Sequence, residues 1–263
     1  MKISIKIVSL MLSIFLFSCD KDDSEILNGT DSVLIRQVFF DSELVYEYTY
    51  NGANLIVEEK SKWHYTKHNY NENKLISSDY YVDPGIFSSS SYMLDSAMNR
   101  KEWVNPSNTE KNSTMTYYYD DNNKLMESSN YLGYSIYSYD SNNRISRRTF
   151  YHDQKESGYI DFLYDEKGNV IKRNHYYILD SGESELQTTT EYEFDNKHNP
   201  YKAFSSLMTP GLYTNINNIT KEVYTLHFEV DQTIQKVQVT ENVYDYDENG
   251  YPIRKNGTVE YRY

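Results

Sequence analysis

The sequence predicts an all-β fold. The expected form is an antiparallel meander of repeated β-hairpins, about fourteen strands, making a curled sheet or barrel-like body with two long loop excursions. Three observations carry this. Of 263 residues, 29 are Tyr, 10 Phe and 2 Trp, and aromatic side chains suit a pleated, half-buried surface. Ala, the best helix former, occurs only at Ala53, Ala97 and Ala203. A short signature then recurs along the chain: aromatic, any residue, aromatic, Asp or Asn, a polar turn, and a branched apolar residue.

The elements follow in chain order. Lys2 and Lys6 precede the apolar stretch Ile7 to Phe17, interrupted by Ser9 and Ser13. That is the length of a signal-peptide core and too short for a bilayer span. Leu16-Phe17-Ser18-Cys19 resembles a bacterial lipobox, in which cleavage precedes an acylated Cys. Residues 1–18 are thus expected to be a cleaved signal peptide. Cys19 is the only Cys of the chain, so disulfide scaffolds and thiol-based metal sites are excluded. Lys21-Asp22-Asp23 resembles the surface-export signal of Bacteroidota lipoproteins. Residues 19–32 read as an acidic lipid-anchored tether, and 33–263 as one β domain. Several acyl chains make a stable anchor at ~0.8 kcal/mol per buried CH₂.

The repeated units fill the rest. They begin at Tyr48-Thr-Tyr50-Asn51 to Leu55, His68-Asn-Tyr70-Asn71 to Leu75, and Tyr117-Tyr-Tyr119-Asp120 to Leu125. Next come Tyr137-Ser-Tyr139-Asp140 to Ile145 and Phe162-Leu-Tyr164-Asp165-Glu-Lys-Gly168-Asn-Val170. Tyr192-Glu-Phe194-Asp195 to Pro200 is degenerate, and Tyr244-Asp-Tyr246-Asp247 to Ile253 closes the series. Aromatics two apart share one strand face. The Asp or Asn bonds forward to the turn backbone, and Gly or Asn accepts positive φ. Asp120, Asp140, Asp165, Asp195 and Asp247 therefore read as structural turn positions.

These Tyr-Asp units, Tyr164 to Val170 above all, resemble the YD repeats of RHS-type proteins. With Asn199-Pro200-Tyr201 and Asn217-Asn218-Ile219-Thr220, residues 33–263 also resemble uncharacterised Bacteroidota lipoproteins described as having a porin-like β fold. The resemblance implies an outer-membrane lipoprotein on the cell-surface side. It implies no activity.

Two excursions interrupt the hairpins, at residues 83–113 and 199–220. Phe204, Leu207 and Met208 in the second, and Tyr92-Met93-Leu94 in the first, could form short helices that cap open ends. Tyr224, Leu226, Phe228 and Val230 alternate with polar residues, and Val237, Val239 and Val243 share a face, as on a sheet with one solvated side. A membrane pore is disfavoured. Ser77-Ser78-Asp79, Glu127-Ser128-Ser129 and Arg147-Arg148-Thr149 place polar residues on both faces.

Little in the chain points to catalysis. The net charge of −13 gives no basic footprint for nucleic acid. No HExxH, GxSxG, Walker A or dinucleotide-binding pattern occurs, and no cofactor is expected. His64 and His68 share a face but stand about 13 Å apart in an extended strand. Asp245-Tyr-Asp247-Glu-Asn249-Gly250 opens like an EF-hand loop, but its twelfth position is Asn256, not Glu. The candidate ligand-stacking residues are Trp103, beside Asn105-Pro106, and Trp63. The expected function is a non-catalytic binding or envelope module, touching the membrane through its acyl anchor only, with a glycan or an envelope protein as ligand. Its alternatives are an extracellular glycan-acting hydrolase, needing two carboxylates across a cleft, and a structural scaffold of the envelope.

Overall fold

The computed structural model describes residues 33–61, 64–82, 110–208, 210–228 and 236–263. Ser32–Tyr263 is one compact unit. Among the described residues there are seventeen strands in one antiparallel sheet. They are β1 (Gln37–Phe40), β2 (Glu43–Tyr50), β3 (Ile56–Ser61), β4 (Tyr65–Asn71), β5 (Lys74–Val82) and β6 (Glu110–Tyr119). Then come β7 (Leu125–Asn130), β8 (Gly133–Tyr139), β9 (Ile145–His152), β10 (Lys155–Tyr164), β11 (Val170–Ile178) and β12 (Ser184–Phe194). The last are β13 (Ile219–Leu226), β14 (Val237–Glu241), β15 (Tyr244–Tyr246), β16 (Pro252–Lys255) and β17 (Val259–Arg262). β6 starts at Glu110, so the first excursion ends earlier than the sequence suggests; residues 110–113 pair with β5.

The repeated signature has a definite geometry. In four copies the Asp or Asn side-chain oxygen accepts backbone N–H bonds two and four residues on. Asp120 Oδ1 takes Asn122 N at 2.9 Å and Lys124 N at 2.8 Å. Asp140 Oδ1 takes Asn142 N and Arg144 N, both at 2.9 Å. Asp247 Oδ1 takes Asn249 N at 3.0 Å and Tyr251 N at 2.8 Å. The third turn residue is left-handed, Asn123 at φ 66° and Gly168 at φ 97°, which Asn and Gly tolerate.

The pairing then slips by one residue just before the second aromatic of every copy, as at Leu163/Tyr164 and Asp245/Tyr246. A β-bulge leaves one return-strand residue unpaired and points two successive residues to opposite faces. Ile56, Leu125, Ile145, Val170 and Pro252 are buried, whereas the bulged Met126, Ile171 and Ile253 are exposed. This corrects two sequence assignments. Ile56, not Leu55, and Pro252, not Ile253, are the inward return residues; Ile253 is 43% exposed.

The strand count also differs from about fourteen, and the termini explain most of the difference. β1 pairs with β2 and with β17, Val38 facing Tyr261. Second aromatics donate their hydroxyls to the first inward residue of the preceding unit: Tyr119 to Leu75 O and Tyr139 to Leu125 O, both at 2.8 Å, and Tyr164 to Ile145 O at 2.7 Å. The ends of the chain obey the same rule. Tyr263 donates to Pro252 O at 2.9 Å, and Tyr50 to Ile35 O at 2.6 Å. Tyr261-Arg262-Tyr263 and Ile35 thus supply the two halves of an eighth unit, split across the termini. β14 pairs with β13 and β15 with β16. Asn242 and Val243 interrupt the strand between them, and the sheet does not close into a barrel.

The degenerate sixth copy does not return at Pro200. Its turn carries the second excursion, and the return strand β13 begins at Ile219. Residues Pro200–Leu207 form a 3-10 helix, capped by Asn199, whose side chain accepts from Tyr201 N. Phe204 is fully buried, its ring 4.7 Å from that of Tyr48. Leu207 packs on the cluster of Ile35, Val38, Val45, Tyr48 and Ile56, and Met208 on that of Leu125, Tyr137, Ile145 and Phe162. In a flat sheet β2 and β9 would be about 34 Å apart, at ~4.8 Å per strand. Consecutive residues are ~3.8 Å apart, so the sheet must curl around this segment.

The predicted contrast of apolar and polar faces near the C-terminus is not seen. Every residue of β13 is half-buried, and Val237, Val239 and Val243 are all exposed. The core is instead made by the repeat residues packing on the inserted segment.

Candidate functional site

Cys19, Lys21, Asp22, Asp23, Trp63 and Trp103 lie outside the described residues. So does Tyr92-Met93-Leu94. The five repeat Asp residues sit in turns, where their oxygens are held by backbone N–H groups. Asp195 also takes Asn218 N at 3.0 Å and the Tyr246 hydroxyl. These residues are spread over separate units, and they do not converge on one site.

A cavity of about 310 Å³ opens between the sheet and the inserted segment. Its walls are Glu59 from β3, Thr66 and His68 from β4, Tyr80 from β5 and Tyr117 from β6, with His64 just before β4. Leu207 and Tyr213 of the inserted segment complete it. Strand alternation makes this assembly. Tyr48, Glu59, Thr66 and Tyr80 are successive cross-strand partners, one lateral row on the inner face.

His64 Nε2 lies 2.5 Å from Glu59 Oε1, and its Nδ1 lies 3.2 Å from Ser61 Oγ. The arrangement has the parts of a nucleophile–base–carboxylate triad, but Ser61 is fully buried. Its hydroxyl accepts from His64 N at 2.9 Å and donates to His64 O at 3.1 Å. That closes the turn between β3 and β4 and leaves no approach for a substrate carbonyl. The second oxygen of Glu59 has no protein partner among the described residues, although only 16% of the side chain is exposed. That oxygen faces the cavity and is free to accept from a ligand.

His68 Nδ1 bonds Ser78 Oγ at 2.8 Å. Burial pushes its pKa down to about 4, with Glu59 opposing weakly, so the ring is neutral at pH 7. The Tyr117 hydroxyl lies 3.4 Å from Ser78 Oγ. Burial first, and then the Glu59 charge, raises Tyr213 to about 12. The phenols around the cavity therefore stay protonated.

Spacing suggested that His64 and His68 were separate strand positions, yet both line this cavity. Their shared face was legible; the Glu59 and Tyr213 that complete the cavity come from other elements. No group of three or more His, Cys, Asp or Glu placed to hold a metal occurs among the described residues. Glu59 is the one carboxylate among the described residues lining the cavity, whereas the hydrolase alternative needs two facing each other.

No family model matches the sequence, and no curated protein is significantly similar to it. Several solved structures are similar in shape. A porin-like protein from Bacteroides vulgatus ATCC 8482 is 9% identical, covering 88% of this chain and 98% of that one, at a TM-score of 0.39. A porin-like protein from Bacteroides uniformis ATCC 8492 is 12% identical, covering 82% and 88%, at 0.42. TcdB2-TccC3 without its hypervariable C-terminal region is 14% identical, covering 81% of this chain and 11% of that one, at 0.33.

Proposed function

We propose that this protein is a non-catalytic binding module of the bacterial envelope. It is anchored in the outer membrane by acyl chains on Cys19 and exposed at the cell surface, and its ligand is a glycan or an envelope protein. The observation that carries the binding reading is the interior cavity, with an unpaired Glu59 oxygen facing it. An ionised carboxylate oxygen only accepts, so this one is placed to take a donor from a ligand that enters the cavity. The lone Cys after Leu16-Phe17-Ser18 supports the anchor, and Lys21-Asp22-Asp23 supports export to the surface. Trp103 and Trp63 are further candidates for stacking against the ligand.

The test has two arms. Cells given a palmitate analogue should label the wild type and not Cys19→Ala, which should leave the membrane fraction; a labelled, membrane-bound variant refutes the anchor. A glycan array and a pull-down from envelope extract should yield a ligand that Leu207→Trp, which fills the cavity, no longer holds. A ligand retained unchanged by that variant refutes the cavity as its site.

A further inference from the structure

The cavity has a chemistry that narrows the ligand. Its volume of about 310 Å³ is at the small end of small-molecule sites, which run from about 300 to 1,000 Å³. A folded partner or a strand-like peptide does not fit; roughly one or two sugar rings do.

The polar groups around it are mixed. Thr66, Tyr80, Tyr117 and Tyr213 are hydroxyls, each able to donate and accept. His68 spends Nδ1 on Ser78, which leaves Nε2 without a protein partner among the described residues. Glu59 offers one acceptor oxygen that carries charge. A ligand matching this set needs hydroxyls, since a hydroxyl both donates and accepts.

Charge removes one alternative. Glu59 repels an anion, and His68 is neutral, so it cannot compensate. Geometry argues against another. A quaternary-ammonium cage presents ring faces, but Tyr117 turns its hydroxyl end toward Ser78. Leu207 and Tyr213 add an apolar wall on the side of the inserted segment, where the C–H face of a sugar ring can pack.

We infer that this cavity is a subsite for a neutral saccharide of one or two rings, held by a pair of its hydroxyls donating to Glu59. The inference rests on the proposal that the cavity is a binding site. The inserted segment forms part of the wall, so ligand and segment should order one another. The segment's own anchors are Phe204 in the core and Tyr70, whose hydroxyl meets Ser206 Oγ at 3.1 Å.

The experiment is calorimetric titration of the full acylated protein in a sugar-free polyoxyethylene detergent. The probes are glucose, galactose, mannose, N-acetylglucosamine, cellobiose, maltose, lactose and chitobiose, with glucuronate and tetramethylammonium as charged controls. At least one neutral sugar should bind saturably, and glucuronate at least tenfold more weakly than glucose or not at all. Glu59→Gln should weaken the sugar about tenfold or more, since it removes a charged acceptor. Tyr80→Phe, which deletes one hydroxyl, should weaken it severalfold, and its circular dichroism should match the wild type. Saturable tetramethylammonium binding, lost in Leu207→Trp and unaccompanied by sugar binding, overturns the saccharide inference and leaves the binding-site proposal standing. Sugar binding indifferent to Glu59→Gln, Tyr80→Phe and Leu207→Trp overturns the inference, because the sugar then sits elsewhere. Saturable binding of no probe overturns both.

Discussion

Removing one hydroxyl should reveal what the repeated Tyr does. Tyr164 donates to Ile145 O at 2.7 Å, tying the fifth unit to the fourth. Its ring is half-buried, with the Arg144 guanidinium 4.5 Å from the ring centre. Tyr164→Phe keeps the ring, the stacked cation and nearly all the buried area. The bond itself contributes about 0.5–1.5 kcal/mol net, and a carbonyl left unsatisfied costs about 1–3 kcal/mol. The bond is part-buried, so a loss of about 1–2 kcal/mol is expected. Urea unfolding followed by far-ultraviolet circular dichroism measures it, with the slope unchanged so that midpoint shifts report stability. Tyr177→Phe is the control: that ring is 53% exposed, and its loss should stay within about 0.5 kcal/mol. Equal effects of the two substitutions, or a loss at Tyr164 below 0.5 kcal/mol, would show that the repeated hydroxyl does not bind neighbouring units together.

Other perturbations follow from the same geometry. Asp165→Ala frees Asn169 N, now held at 2.8 Å, and should cost about 1–2 kcal/mol in the same assay, with Asp165→Asn recovering most of it. Gly158→Ala would place a Cβ 2.4 Å from Tyr176 O, forcing β10 from β11 at about 1–3 kcal/mol. His68 has its folded pKa lowered from 6.5 to about 4, so the unfolded chain binds the extra proton first. Its contribution is complete above pH 6.5 and is lost as the pH falls toward 4, by up to about 1.4 kcal/mol per unit. His68→Gln should flatten that part of the stability profile; an unchanged acid slope would contradict the burial of a neutral ring.

How much of this was readable in the sequence depends on how local the cause is. The turn at Asp120 or Asp165 is a contact within five residues, so the residue pattern announces it. The bulge is local too, but its sign is hidden. Pro252 and Ile253 are both apolar, and only the slipped ladder says which one turns inward. The eighth unit was invisible because its halves, Ile35 and Tyr263, lie at opposite ends of the chain. The cavity was half visible. His64 and His68 share a strand face by alternation, but Tyr213 reaches them only because the sixth turn carries an insertion that folds into the curl. The tyrosines accordingly divide their work between ladders to the next unit and the walls of one cavity.

The pairing of β1 with β17 carries the account most directly, because it joins the last hairpin to the strands that begin the sheet. Amide hydrogen exchange in β1 (37–40) and β17 (259–262) measures it. If Val38 and Tyr261 are cross-strand partners, amides of both strands are protected in the intact protein. Deleting residues 259–263 then exposes the β1 amides that bond β17, while those that bond β2 and those of β10 and β11 keep their protection. Protection that survives the deletion at every β1 amide, or an unprotected β1 in the intact chain, would contradict the split eighth unit and the curled sheet built on it.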